Sequence, residues 1–508
     1  MTNPLFSSAA LMTVLLCGMP VFAQQSEEPP APVTPPDSAV AASSEATTAE
    51  TTTANPGVRI VRLSQVNGDV QLDRQTGRGF EAAFANLPIT QGGKLRTGTG
   101  VAEVEFEDNS SLRLTPNSIV EFPVLSMSQA GTRASTIHVL QGTIFVSLTK
   151  AKTNNNNVDV TFGKETLALG PAAHIELALN GTQPRLDVLD GTVQAVSGAT
   201  TTTVGRKKAL LFDPANSVAP TLVSKNEKGD YDAWDKQAVE YHERMAPSGN
   251  SFAGVPYAYG LNDMNYYGSF ASFGGCGMMW RPYLTSANWS PYSNGVWAYY
   301  PDAGYSWVSP YPWGWTAFHS GSWNYCAGSG WGWQPGNQWT GLQNTALVRR
   351  PNAPVTLKPP IARPHPASPT MIAVNEKPLV VSKMGEKDNF VFRKDSAGLG
   401  VPRSTFGKLD HISAGVAQHG SVERTAFVAS SLGDRQQGGS AANPGGNATH
   451  TMPARGPSSI STHTPTSSGS SMSTGHSASS GSMGGAAPSM GSSMGGSHSS
   501  AAGGGAHH

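Results

Sequence analysis

Aromatic side chains supply the chemistry that is most concentrated in this sequence. Ten of its eleven Trp residues lie between Trp280 and Trp339. Exposed Trp and Tyr rings can stack on the C–H faces of sugars, and prolines beside them would hold the rings rigid and reduce the entropy lost on binding. Such rings can equally form the core of a small repeat, because each buries a large apolar area. Both roles are open for five rings, namely Tyr311, Trp313, Trp315, Trp297 and Trp323.

Carboxylates form a second cluster, between Glu103 and Asp108. Glu103, Glu105 and Glu107 alternate with apolar residues, which predicts that they lie on the solvated face of a strand. A glycosidase needs two carboxylates that flank a cleft, and no pattern here identifies such a pair. The nucleophile elbow, the zinc-protease helix, the phosphate loop and the dinucleotide fingerprint are also absent from the sequence. We therefore predict a protein that is not an enzyme and that uses no cofactor.

Cysteine and histidine are the remaining reactive side chains. Removal of the N-terminal apolar run would remove Cys17 and leave Cys276 and Cys326. In an oxidising compartment two cysteines suggest one disulfide, with two unpaired thiols as the alternative. We expect His319 to be a hydrogen-bonded residue within the Trp-rich region rather than a ligand contact. The histidines near the C-terminus lack a ligand spacing, so we predict no specific metal site.

Composition and the N-terminus bear on location. The 508 residues have a formal net charge of zero, which gives no general reason to expect a nucleic acid as partner. Leu11 to Met19 is an apolar run too short to span a bilayer, and Ala23 suits signal-peptidase cleavage, although residues 1–10 contain no Lys or Arg. We predict a signal peptide over residues 1–23 and an exported protein, periplasmic or associated with the cell surface, with no transmembrane segment in the mature chain.

Short alternating runs predict a mainly β protein. Residues 24–56 are rich in Pro, Ala, Thr, Ser and Glu and read as a disordered linker. From Val58 to about residue 215, apolar and polar residues alternate in short runs, as expected for strands with one buried face. Asp108-Asn109-Ser110 and Asp190-Gly191 suit tight hairpin turns between such runs.

Several of these runs, in their order, resemble the FecR domain. The resemblance covers residues 57–215 and implies a β-rich extracytoplasmic domain with a rolled or solenoid-like arrangement of strands. FecR regulators of iron transport also have a cytoplasmic arm and a membrane-spanning helix, whereas this chain starts with a signal-like segment, so we do not expect transmembrane anti-sigma signalling. The resemblance is carried by these segments: Val66-Asn67-Gly68-Asp69-Val70, Gly92-Gly93-Lys94-Leu95-Arg96-Thr97-Gly98, Ser111-Leu112-Arg113-Leu114-Thr115-Pro116-Asn117-Ser118 and Val188-Leu189-Asp190-Gly191-Thr192-Val193.

The aromatic residues recur with a period of 26, so that Trp297 corresponds to Trp323 and Trp307 to Trp333. A unit of this length cannot bury its apolar face alone, so residues 261–340 are predicted to form three stacked β-hairpins, with turns at Gly304 and Gly330. The region resembles an uncharacterised Trp-rich family that often follows FecR domains in secreted bacterial proteins. That resemblance implies no known activity. It rests on Trp307-Val308-Ser309-Pro310-Tyr311-Pro312-Trp313-Gly314-Trp315 and Phe318-His319-Ser320-Gly321-Ser322-Trp323.

The other segments are predicted to connect or extend these two modules. Residues 216–260 form a connector with a short helix, for which Trp234, Ala238 and Tyr241 have helical spacing. Residues 341–433 are expected to be irregular and Pro-rich, and residues 434–508 to be a disordered tail rich in Gly, Ser, Met and His.

Two functions fit the sequence. The first is an exported, non-catalytic cell-envelope protein that binds or scaffolds, with polysaccharide or peptidoglycan contacted through the Trp-rich repeats. The second is an extracytoplasmic FecR-type regulator that acts through a membrane partner protein.

Overall fold

The chain folds from alternating strands into a two-sheet β roll. A computed structural model describes residues 58–425 except 129, 151–155, 180–182, 214–217, 225–227, 302, 343–358, 361–367 and 375–388. The predicted signal peptide, the 24–56 linker and the 434–508 tail lie outside the described residues. The strands of the roll are β1 Val61–Asn67, β2 Val70–Asp73, β3 Glu81–Ala82, β4 Pro88–Ile89, β5 Lys94–Thr97, β6 Val101–Glu105, β7 Ser111–Leu114, β8 Ile119–Met127, β9 Arg133–Gln141, β10 Thr143–Ser147, β11 Asn156–Phe162, β12 Glu165–Leu169, β13 His174–Ala178, β14 Arg185–Asp190, β15 Thr192–Ser197, β16 Thr200–Gly205, β17 Lys208–Asp213 and β18 Val218–Ser224.

The strands form two sheets of nine strands each. Sheet 1 has the order β18-β17-β14-β13-β10-β7-β6-β1-β4, and sheet 2 the order β16-β15-β12-β11-β9-β8-β5-β2-β3. Strand pairs are antiparallel apart from β9 and β11, which run parallel. The chain alternates between the sheets and advances along both, so the predicted rolled arrangement is confirmed. Apolar residues of the inner faces, among them Leu63, Val104 and Leu112, fill the space between the sheets.

The two predicted hairpin turns have different outcomes. Asp108-Asn109-Ser110 joins β6 to β7, which pair directly, and Asn109 has φ of 68°. Gly191 also has positive φ, but β14 and β15 lie in different sheets. The hairpin prediction at Asp190-Gly191 is therefore wrong: this tight turn carries the chain from one sheet to the other. A side chain at Gly191 would come within 2.7 Å of Ala173 Cα.

Helices follow the roll and cover the outer face of sheet 1. Helix α1 (Asp232–Met245) confirms the predicted connector helix, and the short helix α2 (Leu261–Tyr267) follows it. The buried face of α1 carries Asp235, Tyr241 and His242. Its inward face is thus largely polar, which requires polar partners on the sheet beneath.

The Trp-rich region forms three hairpins, as its period predicts, but they do not stack in sequence. The first and third hairpins share a four-stranded sheet in which Trp280 lies opposite Trp333, and the second belongs to a separate sheet. Gly304 and Gly330 adopt the positive φ expected at their turns. The elements of this aromatic module are β19 Gly268–Phe273, β20 Gly277–Pro282, β21 Gly295–Tyr300, β22 Gly304–Val308, α3 Thr316–His319, β23 Ser320–Cys326 and β24 Gly330–Trp339.

Part of the region expected to be irregular is ordered. Strand β25 (Met371–Val374) pairs with β21 of the aromatic module. Further along, β26 (Asn389–Arg393) and β27 (Ser421–Thr425) flank α4 (Leu409–His419). The prediction of an irregular 341–433 region is wrong for these elements, because tertiary contacts with the aromatic module supply an order that periodicity does not reveal. Among the described residues no helix has the length and apolarity needed to cross a membrane.

The predicted disulfide is confirmed. Cys276 and Cys326 are joined and lie 50 positions apart in the sequence. Cys276 lies in the turn between β19 and β20, and Cys326 ends β23. The bond therefore links the first hairpin to the third, the two hairpins that share a sheet.

Replacing both cysteines by alanine should lower the free energy of unfolding by about 4 kcal/mol, because the unfolded chain loses the loop constraint. Denaturant unfolding of the wild type and the double variant measures the difference. Dithiothreitol should destabilise the wild type by the same amount and leave the variant unchanged. Coincident unfolding midpoints would show that the bond contributes nothing.

Candidate functional site

The three glutamates of the β6 region are buried rather than solvated. Glu103, Glu105 and Glu107 are 0, 0 and 4% exposed. The prediction of a solvated face is wrong, because α1, α2 and the aromatic module cover the outer face of sheet 1 at this position. Alternation correctly separates the two faces of the strand, but here both faces are covered.

Arginines on neighbouring strands lie opposite these glutamates. Arg62 of β1 faces Glu105 across the sheet, and Arg113 of β7 faces Glu103. The Arg62 guanidinium lies 2.9 Å from Glu105 Oε2 and 2.7 Å from Asp263 Oδ2 of α2. These four side chains and Asp263 are fully buried, so the ion pairs join the roll directly to α2.

Helix α1 adds further pairs to the same cluster. Arg113 Nη2 lies 2.8 Å from Asp235 Oδ1, and His174 Nε2 of β13 lies 2.8 Å from Asp235 Oδ2. His242 Nε2 lies 3.2 Å from Glu103 Oε2. Glu103, Glu105, Asp235 and Asp263 therefore each have at least one basic partner.

Arg403 completes the cluster from the far end of the described chain. Its guanidinium lies 2.6 Å from Glu103 Oε1, 3.2 Å from Glu105 Oε1 and 2.7 Å from Asp263 Oδ2. It also stands 5.2 Å from the centre of the Tyr241 ring, within cation–π range. We call the cluster the charge network; its members are Arg62, Glu103, Glu105, Arg113, His174, Asp235, His242, Asp263 and Arg403.

The surrounding positive charges hold Glu103 and Asp263 ionised. Burial alone would raise the pKa of Glu103, but His242, Arg403 and Arg113 outweigh it and keep this pKa well below its usual range. The pKa of Asp263 is likewise lowered, since Arg403 and Arg62 overcome its burial. Burial beside the Asp263 carboxylate raises the pKa of Tyr241 well above its ordinary value, so Tyr241 stays neutral and donates to Asp263 Oδ1 at 2.6 Å.

The network does not have the chemistry of a metal centre. Glu103, Glu105 and His242 place one ligand atom each within 4.8 Å of one another, as three metal ligands would. However, Arg403 already occupies the oxygens of both glutamates. A metal ion would have to displace that guanidinium and would still lie near Arg62 and Arg113, which opposes its binding by like-charge repulsion.

All five rings proposed as ligand contacts lie in the core. Tyr311, Trp313, Trp315, Trp297 and Trp323 are between 0 and 3% exposed. Tyr311 stacks on Trp313 with centroids 5.0 Å apart and planes at 6°. A sugar cannot stack on a ring that is already covered on both faces. The interpretation of these five residues as an exposed binding platform is therefore wrong. Tyr311, Trp313, Trp297 and Trp323 form part of the core of the aromatic module, and Trp315 belongs to the buried cluster that continues from the roll.

His319 is hydrogen-bonded within the module, as expected. Its Nδ1 lies 2.7 Å from the carbonyl oxygen of Thr340. The imidazole is buried, and burial lowers its pKa to about 4. It is therefore neutral in the folded protein at physiological pH.

The sequence does not reveal the charge network when each charged residue is considered by itself. The signal that it does contain is the pairing of opposite charges on consecutive strands. Glu103 and Glu105 precede a tight turn, and Arg113 follows it at the position that faces Glu103 across the hairpin. A solvated face would not require such matched charges, although it would tolerate them.

Replacing Arg62 by Met should destabilise the fold by about 3–5 kcal/mol, because Glu105 and Asp263 would lose a buried partner. Arg206→Met is the matched control, since the Arg206 side chain is 64% exposed beside Asp190. The control should lie within about 0.5 kcal/mol of the wild type. Urea unfolding measures both variants, and equal effects would contradict a structural role for the network.

Acidification should destabilise the protein through His319 before the carboxylates respond. Between its ordinary pKa of 6.5 and its folded value of about 4, the unfolded chain binds a proton that the folded chain does not. The corresponding stability, about 3 kcal/mol, is complete above pH 6.5 and is lost as the pH falls toward 4. Below about pH 4.5 the unfolded chain also protonates carboxylates whose pKa is lowered in the folded chain, such as Glu103. The stability that these carboxylates contribute is then lost in addition to that lost through His319.

Urea midpoints at several pH values, for the wild type and His319→Gln, measure this effect. The glutamine amide can still donate to Thr340. The variant should lose less stability than the wild type between about pH 6.5 and 4.5, while both should fall together at lower pH. An equal slope in the two proteins would contradict the assignment to His319.

Comparison with known proteins identifies both modules. Residues 93–194 match the family described as FecR protein, and residues 261–350 match a family of unknown function, DUF6600. No curated protein matches the sequence. Two crystal structures of a "putative anti-sigma factor" from Parabacteroides distasonis ATCC 8503 are similar at 9 and 12% identity over 26 and 28% of this chain.

The similarity spans 60 and 63% of those two chains, with a TM-score of 0.23 for each. The family matches are independent of that likeness and agree with the order of motifs in the sequence. This chain carries a FecR domain followed by a DUF6600 region.

Proposed function

We propose that this is an exported, non-catalytic protein of the cell envelope that acts by binding another envelope protein, in the manner of a FecR-type regulator. The observation that carries the proposal is the charge network. It fixes the DUF6600 region onto the outer face of sheet 1 and uses the charged groups of that face internally. The FecR domain and the aromatic module then act as one rigid body. A rigid body with a fixed surface is suited to binding a partner protein.

Export is supported by the sequence and by the disulfide. The Leu11–Met19 run and Ala23 have the features of a cleaved signal. Stable disulfides belong mainly to oxidising compartments, and the Cys276–Cys326 bond links two hairpins of the aromatic module. Both features fit a protein that folds outside the cytoplasm.

A non-catalytic role is supported by how the acids are used. Glu103, Glu105 and Asp263 are paired with arginines and buried, so none is available to move a proton to or from a substrate. Glu176 and Asp230 line an open depression of about 260 Å³. That depression lacks the enclosure that would exclude water from a reaction.

A protein partner is favoured over a polysaccharide because the rings suited to sugars are covered. The roll also exposes apolar side chains. Leu140 of β9 is 48% exposed and Leu222 of the terminal strand β18 is 49% exposed. Exposed apolar residues and unpaired strand edges are features that protein partners use.

Site-specific photo-crosslinking in the native host tests the proposal. A photoreactive residue replaces Leu140 or Leu222 on the roll, and Met278 of the aromatic module, 59% exposed, provides the matched control. We expect a discrete adduct with one envelope protein from at least one roll position and none from Met278. Purified chain should stay in the supernatant when peptidoglycan is sedimented. Pelleting with peptidoglycan, without any protein adduct, would contradict the proposal.

The export part has its own test. Protein recovered from the envelope of the native host should begin at Gln24 when its N-terminus is sequenced, and its cysteines should resist alkylation until they are reduced. A chain that begins at Met1 and has freely alkylated cysteines would refute export.

A further inference from the structure

The segment that carries Arg403 lies in a groove bordered by the roll, by α1 and α2 and by the aromatic module. This 394–408 segment joins β26 to α4. Aromatic side chains of the groove donate hydrogen bonds to its backbone carbonyl oxygens. The donor–acceptor pairs are Trp313 Nε1 to Ala397 at 2.8 Å, Tyr267 Oη to Val401 at 2.7 Å and Tyr266 Oη to Phe406 at 3.2 Å.

Arg403 is the anchor of the segment. Its side chain is 12% exposed, whereas Glu103, Glu105 and Asp263 beneath it are fully buried. The guanidinium therefore lies between solvent and the three buried carboxylates and covers them. One arginine that meets three carboxylates and the face of Tyr241 is the kind of contact that dominates protein interfaces.

The backbone of the segment takes its shape from the groove. Asp395, Ala397 and Ser404 have φ of 65°, 50° and 58°, a region that non-glycine residues rarely adopt unless their surroundings impose it. Gly398 also has positive φ, and a side chain there would come within 2.8 Å of the Tyr267 ring. The groove thus holds a turned loop that carries Arg403.

The pocket can lose Arg403 without leaving any carboxylate unpaired. Glu105 and Asp263 both keep Arg62, at 2.9 and 2.7 Å. Glu103 keeps His242 and Arg113, at 3.2 and 3.6 Å. Removal of Arg403 therefore leaves a pocket that is more negative but still held together by its own ion pairs, as a cation receptor requires.

We propose that the pocket formed by Glu103, Glu105, Asp263 and the Tyr241 ring is a receptor for a loop that carries an arginine. Residues 394–408 fill it in cis, and the matching loop of a partner protein replaces them. This inference rests on the proposed function only for the existence of the partner. The receptor property belongs to this chain and can be measured with purified protein.

The test uses the full chain with a protease recognition sequence inserted between residues 375 and 388. Cleavage separates the part that carries Arg403 from the body that holds the pocket, and size-exclusion chromatography at low concentration removes the released fragment. A fluorescent peptide of residues 389–425 is then titrated into the body, with binding read as anisotropy. Near-ultraviolet circular dichroism of the Trp residues reports whether the body stays folded.

We expect the body to stay folded and to bind the peptide saturably. An Arg403→Ala peptide should bind at least about 100-fold more weakly, because the pocket loses the guanidinium. Arg393→Ala in the same peptide is the matched control, since Arg393 is exposed on β26, and it should bind like the wild type. Arg403→Lys should restore only part of the affinity, because an ammonium group cannot reach three carboxylates as a planar guanidinium does.

Loss of the Trp signal on removal of the fragment would overturn the proposal, because the segment would then be a fixed part of the core. Equal binding of the wild-type and Arg403→Ala peptides would also overturn it. Stable dimers of the uncut chain that disappear with Arg403→Ala would support the receptor and identify its partner as a second copy. A folded body that binds the peptide, together with no envelope adduct in the crosslinking experiment, would uphold the receptor and reject the proposed function.

Discussion

Burial of ionised groups is the constraint on which the rest of this structure depends. Taking a carboxylate or a guanidinium out of water costs several kcal/mol or more, and the cost is offset only when opposite charges and hydrogen bonds are supplied in place of water. Arg62 and Glu105 are fully buried on adjacent strands. The outer face of sheet 1 must therefore be covered by elements that bring matching charges. Asp235 of α1, Asp263 of α2 and Arg403 are those charges, and each comes from a different segment.

This requirement explains how two modules become one body. A FecR domain with an apolar outer face could bind many coverings, whereas a face patterned with Arg and Glu accepts only a covering with complementary charges. Helices α1 and α2 and the segment that carries Arg403 provide these charges. The aromatic module beside them is held by a core of rings. Trp280, Trp313 and Trp323 pack on one another with centroids between 5.1 and 6.4 Å apart. The rings therefore act through packing, and the charges determine which surfaces meet.

How far the fold could be predicted from the sequence depends on the range of the contacts. The strands, the Asn109 turn, the connector helix and the three Trp-rich hairpins follow from local patterns, and the structure confirms them. The disulfide follows from a count of cysteines. The covering of sheet 1 could not be predicted, because a single sequence does not record that Arg403 meets Glu103 across 300 residues. The predictions that the glutamates are solvated and that the five rings are exposed are wrong for the same reason, since burial depends on which distant segment covers a surface.

Native-state hydrogen exchange measured by mass spectrometry tests most directly whether the charge network makes the two modules one cooperative unit. The informative amides are those of Val101–Glu105 in the roll and of Gly330–Trp333 in the aromatic module, each within a paired strand. One body predicts that both sets open together, with the same free energy and the same dependence on denaturant, and that Arg62→Met lowers both equally. If the aromatic module opens at much lower free energy while the roll stays closed, the modules are independent and the network does not join them.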